Sequence, residues 1–321
     1  MVFLVPLQKL YNMGFLGFDT SNYTTSVAYF DGVNMYQEKR LLPVKEGERG
    51  LRQSDAVFHH TKAYPELTTL LVENISCDIY AVGASVSPTT QEGSYMPCFL
   101  VGEGAARTVG AVNNVPVYSF SHQQGHIAAA LFSAGKTELL NEKFLAFHVS
   151  GGTTDLVLCE PDPIQIIKVT PVASSSDLKA GQAVDRIGVR LGLKFPAGAA
   201  VEVLAAQSKK EFKPTKIKLK DGFCSLSGLE NKCIKMIEDG SYYEDVAKFL
   251  LTYIADVVIA MTKDAFGKIG TLPVVYAGGV MSDKIIRDRI QCEIESYFAE
   301  PQYSCDNAAG IAYLTYLSHK E

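Results

Sequence analysis

A chain of 321 residues is long enough for two domains with separate cores, which excludes a small stapled scaffold. Charged residues make up 20% of the chain and the formal net charge is −5, so there is no global basic field for nucleic acid or anionic membrane, and any RNA contact must come from a local patch. The seven cysteines are odd in number and scattered without a C-x-x-C pair, and they read as reduced thiols of a cytosolic protein.

Residues 1–12 are apolar but lack the basic lead and small-residue cleavage site of a signal peptide, so they read as an extension before a first core strand at Met13. No run reaches membrane-spanning length. The segment FLGFDTSNYTTSVAYFD, from Phe15, predicts a strand, a tight polar turn and a second strand. PELTTLLVENI then predicts an amphipathic helix and DIYAVGASVS (78–87) a buried strand. SFSHQQGHIAAALF (119–132) reads as a helix rich in small and apolar residues, and FLAFHVSGGTTDLVLCE, from Phe144, is a second strand-turn-strand. The two hairpin segments align without a gap at an offset of 129: Phe15, Leu16, Phe18, Ser21, Thr24 and Thr25 meet Phe144, Leu145, Phe147, Ser150, Thr153 and Thr154. Similarity at so long a period predicts a duplicated domain rather than a solenoid, with two halves across a cleft. Further on, YYEDVAKFLLTYIADVVIAMTKDAFGKIG predicts a long helix and LPVVYAGGV (272–280) a buried strand running into a small-residue loop. The alternation is that of an α/β protein, divided here into residues 13–120 and 121–321, with the last helix packing back on the first domain.

Turns rich in Ser, Thr and Gly offer N–H groups and hydroxyls to phosphate, which singles out Ser21, Thr24 and Thr25 in the first hairpin and Ser150, Gly151, Gly152 and Thr153 in the second. Four-residue helical spacing puts His122 and His126 on one face, where two imidazoles can share a metal ion or simply pack in a core. Asp306, before the helical run near the C-terminus, suits either a third ligand or a helix cap. Gly278 and Gly279 follow a strand and permit close approach by a ring or phosphate, or merely make the turn. Asp185 suits a ribose hydroxyl, a magnesium-bound water or a pairing with Arg190. The lysine-rich KKEFKPTKIKLKD (209–221) suits RNA phosphates or a solvated loop or edge strand.

Taken in order, GFDTSNYTTSVA, HQQGH, VSGGTTDL, AGQAVDRIGVRLGLKFPAG, SLSGLENK, AGGV and CDNAAGIAY resemble the threonylcarbamoyl-adenosine tRNA-modification transferases, long called glycoproteases, from about Met13 to the C-terminus. The resemblance implies the actin, sugar-kinase and heat-shock ATPase fold, with two RNase-H-like domains. It implies His122, His126 and Asp306 as ligands of one divalent ion, iron or zinc. It implies ATP or an adenylate, with or without magnesium, held by the hairpin turns together with Gln182, Asp185, Gly198, Gly278, Gly279 and Asp283. It further implies transfer of a threonylcarbamoyl group to adenosine of tRNA in the cytoplasm, without a membrane, and a smaller paralogous subunit or a second copy on the N-terminal domain.

The pattern is altered at several of these positions. Tyr23 and Thr24 replace an acidic pair, Thr153 a His, Gln182 an acidic residue and Asp283 an Asn, and Ala197-Gly198-Ala199 stands for Gly-Gly-Pro. With the metal triad intact and the nucleotide shell changed, the resemblance is to a divergent paralogue. The two readings carried forward are a metal-dependent transferase and a non-catalytic scaffold partner. A protease lacks a general base such as that of H-E-x-x-H, and a small-molecule kinase rests on fold alone.

Overall fold

Strands β1 (Met13–Thr20) and β2 (Thr24–Phe30) form the first antiparallel hairpin of a computed structural model that describes residues 13–21, 23–43, 51–73, 75, 78–304 and 308–320. The extension 1–12 and Asp306 lie outside the described residues. β3 (Met35–Leu41) pairs antiparallel with β2, while β4 (Asp78–Ser87) and β5 (Val117–Ser121) join by parallel pairing, giving the sheet order β3-β2-β1-β4-β5. β2 is buried at every position, as expected of a strand covered on both faces. On one face, Leu16, Phe18, Val27, Val82 and Ala84 pack against α1 (Gln53–Glu73) and α2 (Phe99–Asn113). On the other face lies α10 (Ala309–Lys320), whose Tyr316 ring meets Phe15 at 5.2 Å between centroids.

α1 starts well upstream of the expected PELTTLLVENI, and Pro65 sits inside it. The proline forgoes one backbone hydrogen bond, but Ala56, His60, Ala63, Leu67 and Leu71 continue a buried stripe at helical spacing straight through it. Tertiary burial outweighs the local break.

The second sheet repeats the first. β6 (Phe144–Val149) and β7 (Thr154–Asp162) form its hairpin, with β8 (Ile166–Ser174), β9 (Val274–Ala277) and β10 (Ser296–Phe298) in the order β10-β9-β6-β7-β8. Phe15 pairs with Phe30 and Thr20 with Thr25 in the first hairpin; Phe144 pairs with Cys159 and Val149 with Thr154 in the second. The 129-residue offset therefore carries one hairpin register onto the other, residue for residue. Helices α4 (Ala180–Arg190), α5 (Gly198–Ala205), α6 (Ser227–Glu238), α7 (Tyr243–Ile269), α8 (Lys284–Gln291) and α9 (Pro301–Ser304) complete this half, and the buried α7 carries much of its core.

The chain divides into two compact units, the first comprising residues up to Thr137, Asp162–Ile167 and the final helix, the second Glu138–Pro161 and Lys168 onward through α9. The observed division thus falls after Thr137 and not after residue 120, because α3 (His122–Ser133) follows β5 without a linker and packs on α10. At that crossing a Cβ on Gly310 would overlap the Gly125 carbonyl oxygen. Only glycine lets the two backbones come so close.

Candidate functional site

The first unit gathers its polar residues where β1 ends. Asp19 is wholly buried, an expensive place for a carboxylate unless it is fully bonded. Its Oδ1 accepts the Ser21 N–H at 3.0 Å, and its Oδ2 lies 2.6 Å from His122 Nδ1. A carboxylate only accepts, so His122 Nδ1 carries the proton and the Nε2 lone pair points the other way. That nitrogen accepts a hydrogen bond from His126 Nε2–H at 3.0 Å, with ring centroids 4.3 Å apart. Two nitrogens bound tetrahedrally to one zinc ion at its usual bond length stand about 3.3 Å apart, so the pair is spaced for a shared ion. A carboxylate behind the first imidazole is also the common outer partner of a metal-binding histidine.

Local sequence fixes this geometry. Ser121 caps α3: its hydroxyl accepts the Gln124 N–H, while Gln124 Oε1 accepts the Ser121 N–H at 2.8 Å. Gln124 Nε2 donates onward to the Ile167 carbonyl at 2.8 Å. The first helical turn, which bears His122, is thereby held from both sides. Thr20 secures β1 by donating to the Cys98 carbonyl and accepting the Gly102 N–H. Among the described residues no cluster of three or more His, Cys, Asp or Glu could hold a metal, and Asp306, the third expected ligand, lies outside them.

Asp19 and His60 were not singled out from the sequence. His60, with no exposed surface, stands 2.8 Å from the Thr25 hydroxyl through its Nδ1. Burial lowers its pKa from the ordinary range, against the opposing pull of the Ser21 backbone and Asp19. Burial, reinforced by Asp19, pushes the neighbouring Cys98 thiol up to about 11, which makes it a poor nucleophile. An acidic residue inside the apolar run that begins the first hairpin was the available signal for Asp19. Of the first-hairpin candidates, Ser21, Thr24 and Thr25 are buried around this point, and Tyr23 is 41% exposed.

The second unit presents a different surface. In the β6–β7 turn the Ser150 hydroxyl accepts the N–H groups of Gly152 and Thr153 and lies 2.7 Å from the Thr153 hydroxyl, while Gly151 and Gly152 are exposed. The turn abuts the start of α4, where Gly181 N–H donates to the Ser150 carbonyl at 3.1 Å. Gln182 is exposed and closes that helix end by accepting the Lys179 N–H. Gly278, at φ +97°, lies against Val149 so closely that a Cβ would overlap the Val149 carbonyl oxygen, and exposed Gly279 follows. The turn, Gly181–Gln182 and Gly278–Gly279 thus collect at the carboxyl ends of β6 and β9, where α/β folds commonly bind ligands.

Two further candidates do local structural work. Asp185 accepts the Ala197 N–H at 2.7 Å and so fixes the turn that leads to Gly198 and α5; burial raises its pKa. Asp283 caps α8 by accepting the Ile286 N–H at 3.0 Å, and burial, with Glu202 and Asp288 nearby, pushes its carboxyl up to about 7. The SLSGL segment is held by Asp177, which accepts from the Ser225 and Ser227 hydroxyls and the Leu226 N–H.

Comparison with known proteins bears on both units. The profile of the tRNA N6-adenosine threonylcarbamoyltransferase family matches residues 50–313. The protein of that name from Ligilactobacillus salivarius (strain UCC118) is 31% identical over 258 residues, covering 76% of this chain and 71% of its own. Among solved structures, full-length HypF in its phosphate- and nucleotide-bound form superposes with a TM-score of 0.60 at 12% identity, over 96% of this chain and 46% of its own. A ROK family glucokinase from Streptomyces griseus, in complex with glucose and AMPPNP, gives 0.50 at 12% identity over 96% of this chain and all of its own. At such identities the structures establish the fold, that of actin, sugar kinases and heat-shock ATPases, and nothing finer.

Proposed function

The chain belongs to the tRNA N6-adenosine threonylcarbamoyltransferase family, and from that premise we propose that it moves a threonylcarbamoyl group from an adenylate to adenosine of tRNA, using one iron or zinc ion on His122, His126 and Asp306. The observation that carries the metal assignment is the Asp19–His122–His126 line, in which a buried carboxylate fixes the tautomer of one imidazole and leaves its Nε2 beside the second. When bound, the ion supplies Lewis acidity toward oxygens of the transferred group.

The chain's own groups bind and orient. Asp19 keeps the proton on His122 Nδ1, and the Ser121 cap holds the ring's helix in place. N–H groups of the Ser150–Thr153 turn and Gly278–Gly279 are suited to the phosphate of ATP or an adenylate, with Gln182 and Asp185 beyond them. Tyr23, Thr24 and Gln182 supply none of the negative charge that an acidic shell would give magnesium, which directs the reading toward the singly charged phosphate of an adenylate. Among the described residues no helix is long and apolar enough to cross a membrane; the proposal places the enzyme in the cytoplasm. The proposal includes a smaller paralogous subunit or a second copy on the first unit, whose α1 and α2 expose Leu70, Val72, Leu100 and Val112.

The test is elemental analysis of wild type beside His122→Ala, with calorimetry of ATP and AMP binding and an assay of tRNA modification. About one ion per chain, lost in the variant together with modification, is the expected result. A metal-free protein that ignores nucleotide would overturn the proposal and leave the scaffold reading.

A further inference from the structure

The lysine-rich run 209–221 is not part of either group of site residues. It carries six lysines against Glu211 and Asp221, a local net charge of +4 in a chain whose total is −5. The run has no helix or named strand of its own, yet it is firmly attached to the second unit. Ser208 donates to Asp245 at its start, Thr215 N–H donates to Asp256 Oδ2 at 2.7 Å, and Arg289, itself paired with Asp256, donates to the Phe212 carbonyl. Ile217 and Leu219 pack on the core.

This anchoring sorts the side chains. Thr215, Ile217 and Leu219 are half-buried, while Lys216, Lys218 and Lys220 between them are exposed. An alternation of period two places those three lysines on one outer face, where extended backbone spaces their Cα atoms about 6.6 Å apart, of the same order as successive phosphates along a nucleic-acid strand. Among the described residues Lys209, Lys213, Lys216, Lys218 and Lys220 make no ion pair, although acidic residues outnumber basic ones in the chain. A buried carboxylate paired with a half-buried Arg is a costly way to hold an ordinary solvated loop.

The run also leads toward the candidate phosphate turn. Past Lys220, Cys224 N–H donates to the Ser174 carbonyl, Ser175 N–H to that of Thr154, and Gly181 N–H to that of Ser150. A continuous backbone track therefore joins the lysine face to the Ser150–Thr153 turn.

We propose that Lys216, Lys218 and Lys220 form a track for the sugar-phosphate backbone of the acceptor RNA beside the site. This rests on the transferase reading. Lysines act as point charges on phosphate and carry no base code, so the track contributes affinity and orientation and leaves the choice of adenosine to other groups.

The experiment measures binding of an unmodified tRNA transcript, by anisotropy, between about 50 and 200 mM salt. It compares wild type with the triple variant Lys216→Gln, Lys218→Gln, Lys220→Gln and with a control triple, Lys62→Gln, Lys194→Gln, Lys235→Gln, after circular dichroism has shown all three folded. Losing three phosphate contacts lowers the slope of log K against log salt by about two to three and weakens binding about 50-fold or more at physiological salt. The control keeps the wild-type slope. If wild type binds tRNA and the track variant matches it, the track is overturned and the transferase reading stands. If wild type neither binds nor modifies tRNA, both fall. Binding to phosphatidylserine vesicles in place of tRNA, lost in the track variant, would also overturn the RNA assignment.

Discussion

Replacing Asp19 with asparagine tests the arrangement at its base. The wild-type carboxylate serves two donors at once, the Ser21 N–H at 3.0 Å through Oδ1 and His122 Nδ1–H at 2.6 Å through Oδ2. Asparagine has one acceptor oxygen, so in either flip its NH2 group is turned on one of those donors. In a site with no solvent to make up the loss, one orphaned donor costs about 1–3 kcal/mol, and the charge assistance to the imidazole disappears as well. Loss of an outer carboxylate partner of a metal-binding histidine costs about 10- to 100-fold in affinity. The expected result for Asp19→Asn is a folded protein with a zinc dissociation constant raised by that factor, read by competition against a chromophoric chelator. The His122 Nε2 and Nδ1 resonances of 15N-labelled protein should also show the tautomer becoming mixed. Unchanged zinc affinity with an unchanged single tautomer would refute the reasoning, since the carboxylate would then be setting neither the proton nor the ring.

Three further outcomes follow from the packing. Gly310→Ala forces α10 away from Gly125 at the α3 crossing and should destabilise by about 1–3 kcal/mol in urea, weakening zinc binding through the displaced His126. Gly104→Ala, in α2 with nothing within 4 Å of the added methyl, should instead raise stability by about 0.5–1 kcal/mol. Asp283 holds its proton to about pH 7 in the fold but only to 3.8 when unfolded, so the native state binds the extra proton between those values and wild-type stability falls as pH rises through that window. Asp283→Asn keeps the acceptor for Ile286 N–H, should match wild type at pH near 4 and should exceed it by at least about 1 kcal/mol at pH near 8; parallel wild-type and variant urea curves at both pH values would refute this.

Much of the fold is written in local pattern. The strand at 78–87 is built around the apolar run Ile79–Ala84, and the aligned hairpins share one register because their inward residues repeat in step. Helix α1 was only half legible: Pro65 marks a local boundary that the buried stripe from Ala56 to Leu71 overrides, and no window of propensity contains that stripe's tertiary partners. The same holds for the unit boundary, since what draws α3 into the first unit is α10, far away in sequence. At the site, His122 and His126 are visible because helical spacing alone makes them neighbours. Asp19, by contrast, reaches His122 across 103 residues, a juxtaposition that needs the sheet to exist first. Asp185 shows another limit, for its residue type suggests a ligand contact, while its bond to the turn amide of Ala197 is visible only in the fold.

The return of α10 to the first sheet has a consequence for how the protein is made. Ribosomes deliver β1, β2, β4 and β5 early, but the helix that covers their Phe15 face is synthesised after the entire second unit. At ordinary elongation rates the nascent first sheet waits on the order of ten seconds or more with that face bare, while the second unit can already close around α7. Synthesis therefore completes the later unit before the earlier one, and the histidine-bearing helix acquires its partner only after α10 has left the exit tunnel.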